Sequence, residues 1–368
     1  MKIPLSTQAW LLVAFVLASG IAGCINPLYS PLPLALRGAT VLINDLRCSK
    51  ESFFARSDIN LVWDMVQTTN SLHPRPNILV LTSSGVAHLT ADGREERFVD
   101  FGIGANLYNG KFCDADGDAN LETLGNLSDH RVDILVDSDG ETISRFPACN
   151  YDAPLIADID GDGQKEIIIE GRSRQLEVYR IDGTRIRSFQ QDMQPWKYSV
   201  ATDDKSGKVS VALYAYYDRG AVYLLDELGK VKSKWNPPYE FYDLSIPPEG
   251  EGAFMFASGD EFFICDSTGK ALKVFSAPLG RYVRTLFCEK RAVDDQNTYY
   301  VFLGKTKGAW GRSMLYVFSD SGDLLYQEIL VDSCNALLVR GGECDTATWS
   351  ILLGARNKVL EYSIHATE

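Results

Sequence analysis

The sequence predicts an all-β fold, a seven-bladed β-propeller of four-stranded blades. Short apolar runs end at turn glycines of similar context, and no helical periodicity of useful length occurs after residue 23. Asp-Gly and Ser-Gly dipeptides of this kind form tight hairpin turns, because glycine tolerates positive φ. The turn glycines recur every 40 to 53 residues, the length of four short strands and their connections. They are Gly93, Gly140, Gly183, Gly229, Gly269 and Gly322.

Six marked units and one unmarked terminal unit make seven blades, while six or eight blades remain compatible with the spacing. The clearest unit has predicted strands at 154–159, 166–171, 176–181 and 184–189. The next unit repeats the pattern at 197–202, 208–215, 221–226 and 230–235. The terminal unit lacks a fourth strand, and an apolar N-terminal strand at 39–45 is expected to fill the gap and close the ring. Residues 60–68 fit either a first strand or a short helix.

The chain begins with a targeting segment, residues 1–23, followed by a tether at 24–37 and the propeller at 38–368. Lys2 precedes a short apolar core that is too short for a comfortable membrane span. Ile21-Ala22-Gly23-Cys24 resembles a bacterial lipobox, which implies that Cys24 is lipidated. We therefore expect a membrane-anchored lipoprotein of the bacterial cell envelope, in the outer membrane because Ile25 rather than aspartate follows. Prolines 27, 31 and 33 stiffen the tether.

Two loops carry acidic residues at alternating positions, between predicted first and second strands. Oxygen ligands in this number and spacing suit Ca²⁺ rather than zinc, and neighbouring glycines allow the sharp turn that a calcium loop needs. An apolar strand follows the later loop at once, so the loop belongs to a β-hairpin and not to a helical calcium motif. The predicted ligands are Asp158, Asp160, Asp162, the Gln164 carbonyl and Glu166 in one loop, and Asp114, Asp116, Asp118, the Asn120 carbonyl and Glu122 in the other.

These loops resemble the FG-GAP/VCBS repeat, the unit of propellers like those of integrin α subunits. The resemblance is carried by Asp158-Ile159-Asp160-Gly161-Asp162-Gly163, by Glu166 and by the apolar strand that follows. It implies a propeller with two structural Ca²⁺ ions in blade hairpins, but no particular ligand or reaction. The other blades carry only the period, and the turn at 203–207 keeps a single matching aspartate, so we expect no metal there.

The net charge and the cysteine count limit the classes of function and the chemistry that this sequence allows. A formal net charge of −13 argues against nucleic acid as a partner. Eight cysteines leave seven if Cys24 carries lipid, so at least one of these is a free thiol or pairs between molecules. The rest are structural bridges or buried thiols.

No nucleophile elbow, phosphate loop, dinucleotide fingerprint or zinc-protease motif occurs, so the sequence predicts no enzyme. The expected function is binding of a protein or glycan, including a scaffold role in envelope assembly. The alternative is a calcium-dependent carbohydrate-active enzyme similar to a polysaccharide lyase. Such an enzyme could recruit Lys305, Lys307 and Arg312, although nothing in the sequence singles them out.

The expected ligand surface is the face opposite the calcium loops. The longer connections between second and third strands, and between successive blades, share that face. Trp310 and Arg312 lie in one such loop, and Tyr239 lies in another. Exposed aromatic rings in loops anchor proteins or stack on sugars, although rings at these positions also fill gaps between blades.

Overall fold

The protein is a seven-bladed β-propeller in the computed structural model. The structure describes most of the repeat region. The described residues are 40–42, 46–70, 73–102, 106–127, 132–147, 154–171, 175–189, 197–202, 209–215, 221–236, 244–248, 250–258, 260–277, 283–292, 298–306, 312–341 and 348–366.

The regular secondary structure of the described residues consists of β-strands, which form seven antiparallel sheets. Two N-terminal strands come first, the short β1 (Thr40–Leu42) and the longer β2 (Leu46–Ala55). Blade 1 contains β3 (Val62–Asn70), β4 (His73–Thr82), β5 (Gly85–Leu89) and β6 (Glu95–Asp100). Blade 2 contains β7 (Leu107–Cys113), β8 (Glu122–Leu127), β9 (Val132–Val136) and β10 (Thr142–Pro147). Blade 3 contains β11 (Leu155–Ala157), β12 (Glu166–Glu170), β13 (Leu176–Tyr179) and β14 (Arg185–Phe189). Blade 4 contains β15 (Lys197–Thr202), β16 (Val209–Ala215), β17 (Ala221–Leu225) and β18 (Val231–Trp235).

The last three blades depart from the simple pattern. Blade 5 contains β19 (Phe254–Ser258), β20 (Glu261–Cys265) and β21 (Ala271–Ser276). Among the described residues that precede β19, a single bridge occurs, in which Ser245 pairs with Met255. Blade 6 contains β22 (Val283–Ala292), β23 (Thr298–Thr306), β24 (Ser313–Ser319) and β25 (Leu324–Ile329). Blade 7 contains β26 (Ala336–Gly341), β27 (Thr348–Ala355) and β28 (Lys358–Ala366), with β2 as its outermost strand.

Apolar side chains between neighbouring blades form the core. Phe146 of blade 2 and Ile169 of blade 3 are fully buried in one cluster, with ring contacts that reach Tyr179. Ring closure depends on the same kind of packing. Val62 on the innermost strand of blade 1 shares a buried cluster with Ala336 on the innermost strand of blade 7. The hydrophobic contribution to stability is therefore distributed around the ring.

The turn glycines have a second role that the sequence period does not reveal. Each lies against the outer strand of the preceding blade, because the turn between third and fourth strands rests on that strand. A Cβ at Gly93 would lie 2.3 Å from the carbonyl oxygen of Phe53 in blade 7, and a Cβ at Gly269 would lie 2.4 Å from the Trp235 ring of blade 4. Both glycines also have positive φ, 83° and 85°. Blade 7 needs no such turn, because its third and fourth strands are not consecutive in the chain.

The prediction of an N-terminal closing strand is confirmed, but the segment differs from the expected 39–45. Within it, β1 pairs with β25 at the outer edge of blade 6, with Val41 opposite Gln327. The next strand, β2, closes blade 7 by pairing with β28, with Cys48 opposite Ile364. The expected segment has too few residues to pair along the whole of β28, whereas β2 has ten. The ambiguous segment at 60–68 is a strand, within β3.

Four cysteines of the described region are buried free thiols: Cys113, Cys265, Cys288 and Cys334. Burial raises the pKa of the Cys113, Cys265 and Cys334 thiols to about 12, so these groups stay protonated and unreactive at neutral pH. No helix in the described part of the chain is long and apolar enough to span a membrane.

Candidate metal centres and predicted ligand face

The structure brings together three carboxylates in the loop between β7 and β8. Oxygen atoms of Asp114, Asp116 and Glu122 lie within 4.8 Å of one another. The loop is shaped by its own side chains: Asp114 Oδ1 accepts from the Gly117 amide at 2.7 Å, and Glu122 Oε2 accepts from the Ala115 amide at 2.6 Å. The turn therefore holds three oxygen donors around one point.

The loop between β11 and β12 repeats this arrangement in blade 3. Asp158, Asp160 and Glu166 also have oxygen atoms within 4.8 Å of one another. Asp158 accepts from the Gly161 amide at 2.7 Å, and Glu166 accepts from the Ile159 amide at 2.9 Å. Two adjacent blades thus carry the same hydrogen-bonded loop, in the register that the sequence predicts.

The donor set of both clusters fits a hard divalent cation. Each glutamate is buried at the start of a second strand, with 4 % of its surface exposed. Burial raises the pKa of Glu122 and Glu166, and the nearby aspartates add to the increase. A divalent cation bound among the oxygens would offset this cost by favouring the charged carboxylates. Carboxylate oxygens in these numbers are typical Ca²⁺ ligands.

Two predicted ligands lie outside these groups. The Asp118 carboxylate accepts from the Asn120 amide at 2.7 Å, and the Asp162 carboxylate accepts from the Gln164 amide at 2.8 Å. Both aspartates therefore stabilise the turn that follows. Asn120 and Gln164 take part in these bonds through their main-chain amides. Coordination of a metal by their main-chain carbonyls remains a prediction.

The two loops differ in the residue that occupies one left-handed backbone position. Ala119 adopts φ 68°, a left-handed conformation that L-residues with a Cβ rarely take, and Gly163 has φ 88° at the equivalent place in the other loop. An alanine that is held in this conformation costs roughly 1 kcal/mol. The 114 loop therefore maintains the turn at a local cost that the 158 loop avoids.

Basic side chains connect the two loops to each other and to blade 4. Lys165, next to Glu166, donates its ammonium to the main-chain carbonyl of Asp114. Arg187 on β14 donates to Asp160 Oδ2 at 3.2 Å and also contacts the Glu227 carbonyl of blade 4. The acidic loops are therefore part of the contact between blades as well as candidate metal sites.

Two further carboxylates join innermost strands, and sequence reasoning missed them. Asp64 on β3 accepts from the Phe112 amide of blade 2 at 2.8 Å, and Glu289 on β22 accepts from the Val339 amide of blade 7 at 2.9 Å. Burial raises the pKa of Asp64 to about 6 and that of Glu289 to about 7. No motif marks them, because their partners are main-chain amides of another blade.

A polar cluster between blades 5 and 6 is the nearest approach to acid–base chemistry that we identify. The Tyr300 hydroxyl donates to Glu251 Oε2 at 2.6 Å, while Lys273 pairs with Asp320 at 2.7 Å and with Glu251 at 3.4 Å. Burial and the Glu251 charge raise the pKa of Tyr300 well above its usual value. The phenol therefore stays protonated and is a poor general base. These side chains stabilise the contact between two blades.

The predicted ligand face is only partly described. Trp310 and Tyr239 lie outside the described residues, as does Cys24. Arg312 is half-buried beside β24, and its guanidinium donates to the Val331 carbonyl at 3.3 Å. Val331 belongs to the connection between blades 6 and 7 and is 67 % exposed. By strand topology, Arg312 and Val331 lie on the face opposite the acidic loops.

The comparisons with known proteins establish the fold class. No protein-family model matches the chain, and no curated protein matches it. Two solved structures of BBS1N in complex with ARL6DN are similar to it. The structure soaked with lead has a TM-score of 0.53 at 8 % identity and covers 90 % of this chain and 98 % of the other. The structure soaked with mercury has a TM-score of 0.52 at 7 % identity and covers 89 % and 97 %. At such identities the likeness shows the propeller fold alone, which these sheets also define.

Proposed function

We propose that the protein is a protein-interaction module, a propeller that binds a partner on the face opposite the acidic loops. The observation that carries the proposal is the similarity over nearly the whole propeller to BBS1N, which was solved in complex with another protein. The exposed side chain of Val331, held beside Arg312 on that face, supports the choice of surface. The sequence predicts Trp310 and Tyr239 in loops of the same face.

Calcium has a structural role in this proposal. Asp114, Asp116 and Glu122 would hold one ion, and Asp158, Asp160 and Glu166 would hold the other. The ions would neutralise crowded carboxylates and stiffen two blade hairpins. The clustering of three carboxylates in each loop supports this assignment and the relation to FG-GAP/VCBS propellers.

Lipidation of Cys24 would tether the propeller to a bacterial envelope membrane, a proposal that rests on the lipobox-like sequence. Metabolic labelling with a fatty acid tests it, because wild type should be labelled and Cys24→Ser should not. Label retained by the variant contradicts the anchor without affecting the interaction proposal.

Partner capture with the full-length protein tests the binding face. Proteins from the envelope fraction of the source cells would be captured on wild type, Trp310→Ala and a control, Ile143→Ala. Ile143 is an apolar side chain, 44 % exposed, on the outer strand of blade 2. We expect Trp310→Ala to weaken binding of the captured protein by on the order of 2 kcal/mol, as an interface tryptophan does, and the control to bind like wild type.

Melting temperatures of the same variants show whether a loss of binding comes from a folding defect. Affinity that is intact in Trp310→Ala, with a melting temperature several degrees lower, would identify Trp310 as a packing residue. Equal capture by all variants would contradict this choice of face. A glycan array probed with the wild-type protein tests the alternative that the ligand is a glycan and not a protein.

A further inference from the structure

One arginine at the contact between blades 6 and 7 lacks a partner among the described residues. Nε of Arg291 on β22 is buried without a hydrogen-bond acceptor, and the guanidinium makes no ion pair in the described part of the chain. The other unsatisfied buried side-chain atoms of the described residues are two hydroxyl oxygens and one amide oxygen, so Arg291 is the only charged group among them. An unsatisfied buried polar group in a native protein indicates a water, an ion or a ligand that completes it.

The adjacent blade holds an arginine whose hydrogen bonds are satisfied. Arg340, on the innermost strand of blade 7, donates to the Ser350 hydroxyl, the Ala91 carbonyl and the Glu361 carboxylate. Arg291 lies on the innermost strand of blade 6, and both side chains are half-buried. Within the described residues, only Arg340 has its charge balanced by a carboxylate.

The backbone of blade 7 makes room for the unpaired guanidinium. A Cβ at Gly341 would lie 2.0 Å from Arg291 Nη2, so the guanidinium lies directly over this glycine. Arg291 is opposite Tyr299 in the ladder of blade 6, and Gly341 is opposite Trp349 in the ladder of blade 7. The Tyr299 and Trp349 rings stack with their centres 5.4 Å apart. Arg291 is therefore partly shielded from water, and an ion pair is stronger there than in bulk solvent.

The strand topology places Arg291 on the face that carries the acidic loops. Arg291 and Gly341 lie near the ends of the first strands of their blades, as Cys113 does just before the acidic loop of blade 2. This site is separate from the partner face proposed above, so either proposal can fail without the other.

The charge of the site favours a single carboxylate as its ligand. One guanidinium carries one positive charge, and its planar N–H groups match the two oxygens of a carboxylate. A phosphate dianion would bring an uncompensated negative charge to a chain whose formal net charge is −13. The neighbouring rings leave little surface on which a sugar could stack, because Trp349 is 2 % exposed and packs against Tyr299. An acidic side chain of a protein therefore fits better than a phosphate group or an acidic sugar.

We infer that Arg291 is an anchor for a glutamate or aspartate side chain of a partner protein. The carboxylate accepts hydrogen bonds from the guanidinium above Gly341, at the junction of blades 6 and 7. The contact removes the cost of a half-buried charge without a partner. Repulsion from distant carboxylates of the chain is screened over about 8 Å at physiological ionic strength, so the short-range contact dominates.

Phenylglyoxal modifies arginine guanidinium groups and reports occupancy of the site in the full-length protein. Mass spectrometry follows the modification rate of Arg291 and that of Arg145, an exposed arginine on the outer strand of blade 2. The probes are an acetylated and amidated tripeptide with glutamate between two glycines, the same peptide with glutamine, inorganic phosphate and glucuronate. Sodium chloride at equal ionic strength is the blank.

We expect the glutamate peptide, at about ten times its Kd, to slow modification of Arg291 about tenfold because binding and modification compete. Arg145 should be unaffected, and the glutamine peptide and sodium chloride should protect neither arginine. Gly341→Ala should abolish the protection, because the added Cβ displaces the guanidinium while its charge is kept. Equal rates for Arg291 with the two peptides overturn the inference. Stronger protection by phosphate or glucuronate overturns it in favour of that anion.

Melting temperatures separate a binding role of Arg291 from a structural one. Arg291→Met should melt at the wild-type temperature or above, because it removes a half-buried charge without a partner. A melting temperature several degrees lower would identify Arg291 as a structural residue and overturn the inference.

Acidic residues of the adjacent connections lie outside the described residues and are tested as occupants of the site. The neutralised variants are Asp294→Asn/Asp295→Asn and Glu343→Gln/Asp345→Asn. Without peptide, Arg291 should be modified at the wild-type rate in both variants. Faster modification in either variant would identify a carboxylate of this chain as the occupant and overturn the inference of a partner protein.

Discussion

Replacement of Arg340 by methionine should weaken the closure between blades 7 and 1. Arg340 lies on β26, and its guanidinium donates to Ser350 Oγ on β27 at 2.9 Å and to Glu361 on β28. It also donates to the Ala91 carbonyl in the turn between β5 and β6 of blade 1. One side chain thus joins three strands of the last blade to the first.

The expected loss of folding stability follows from the burial of the Arg340–Glu361 ion pair. The Arg340 and Glu361 side chains are 14 % and 12 % exposed, so removal of the cation leaves a carboxylate that is largely shielded from water. Breaking such a pair costs about 3 kcal/mol, the lower end of the range for buried pairs. With a urea slope of about 3 kcal/mol per molar, the unfolding midpoint should fall by about 1 M.

Urea denaturation followed by circular dichroism measures this shift. Arg340→Met/Glu361→Gln should recover part of the loss, because no charge is left unpaired. Arg94→Met, an exposed position near the same blade 1 turn, is the control and should change the midpoint little. A shift for Arg340→Met as small as that of the control would refute the view that this arginine holds the ring closed.

Three further predictions concern the acidic loops and a buried carboxylate. Chelation with EDTA should lower the melting temperature, since an ion at a hundredfold excess over its Kd adds about 2.7 kcal/mol; Asp160→Ala should reduce this dependence and Asp139→Ala should not, and insensitivity of wild type to EDTA would exclude bound metal. Ala119→Gly should raise the melting temperature by about 1–2 °C because the left-handed strain is relieved, and a decrease in scanning calorimetry would contradict that reason. Burial raises the pKa of Asp133 to about 7 from an ordinary 3.8, so the folded state binds a proton that the unfolded state has lost, and stability falls as pH rises across that window by up to about 4 kcal/mol. Asp133→Asn should therefore be more stable than wild type in urea at pH 8 and similar at pH 4, and equal stabilities at both pH values would count against this burial cost.

The blade pattern was predictable because it depends on local turn chemistry. Gly93 and Gly269 mark hairpins whose backbone conformation excludes most other residues, and this requirement is visible in one segment of sequence. The acidic loops could be predicted for the same reason, because their geometry also depends on local interactions. Their hydrogen bonds run within a few residues, as in the bond from the Gly161 amide to Asp158.

Other features depend on contacts between distant segments, which local patterns do not encode. The attachment of β1 to β25 of blade 6 joins segments far apart in the chain, and nothing within residues 40–42 specifies it. Spacing alone also treats Asp118 and Asp162 as equivalent to Asp116 and Asp160, although only Asp116 and Asp160 bring an oxygen within 4.8 Å of the other carboxylates of their loop. Arg340 carries no motif, because its partners lie on two other strands and a turn.

The pairing of β2 with β28 has a consequence for the order in which the molecule is made. The first long strand to leave the ribosome waits for a partner near the far end of the chain, since about 300 residues separate Cys48 from Ile364. Blades 1 to 6 are complete in the nascent chain before the other three strands of blade 7 have been made. Folding of the last blade is therefore a late, long-range event, and until it occurs β2 is an unpaired edge open to pairing with another chain.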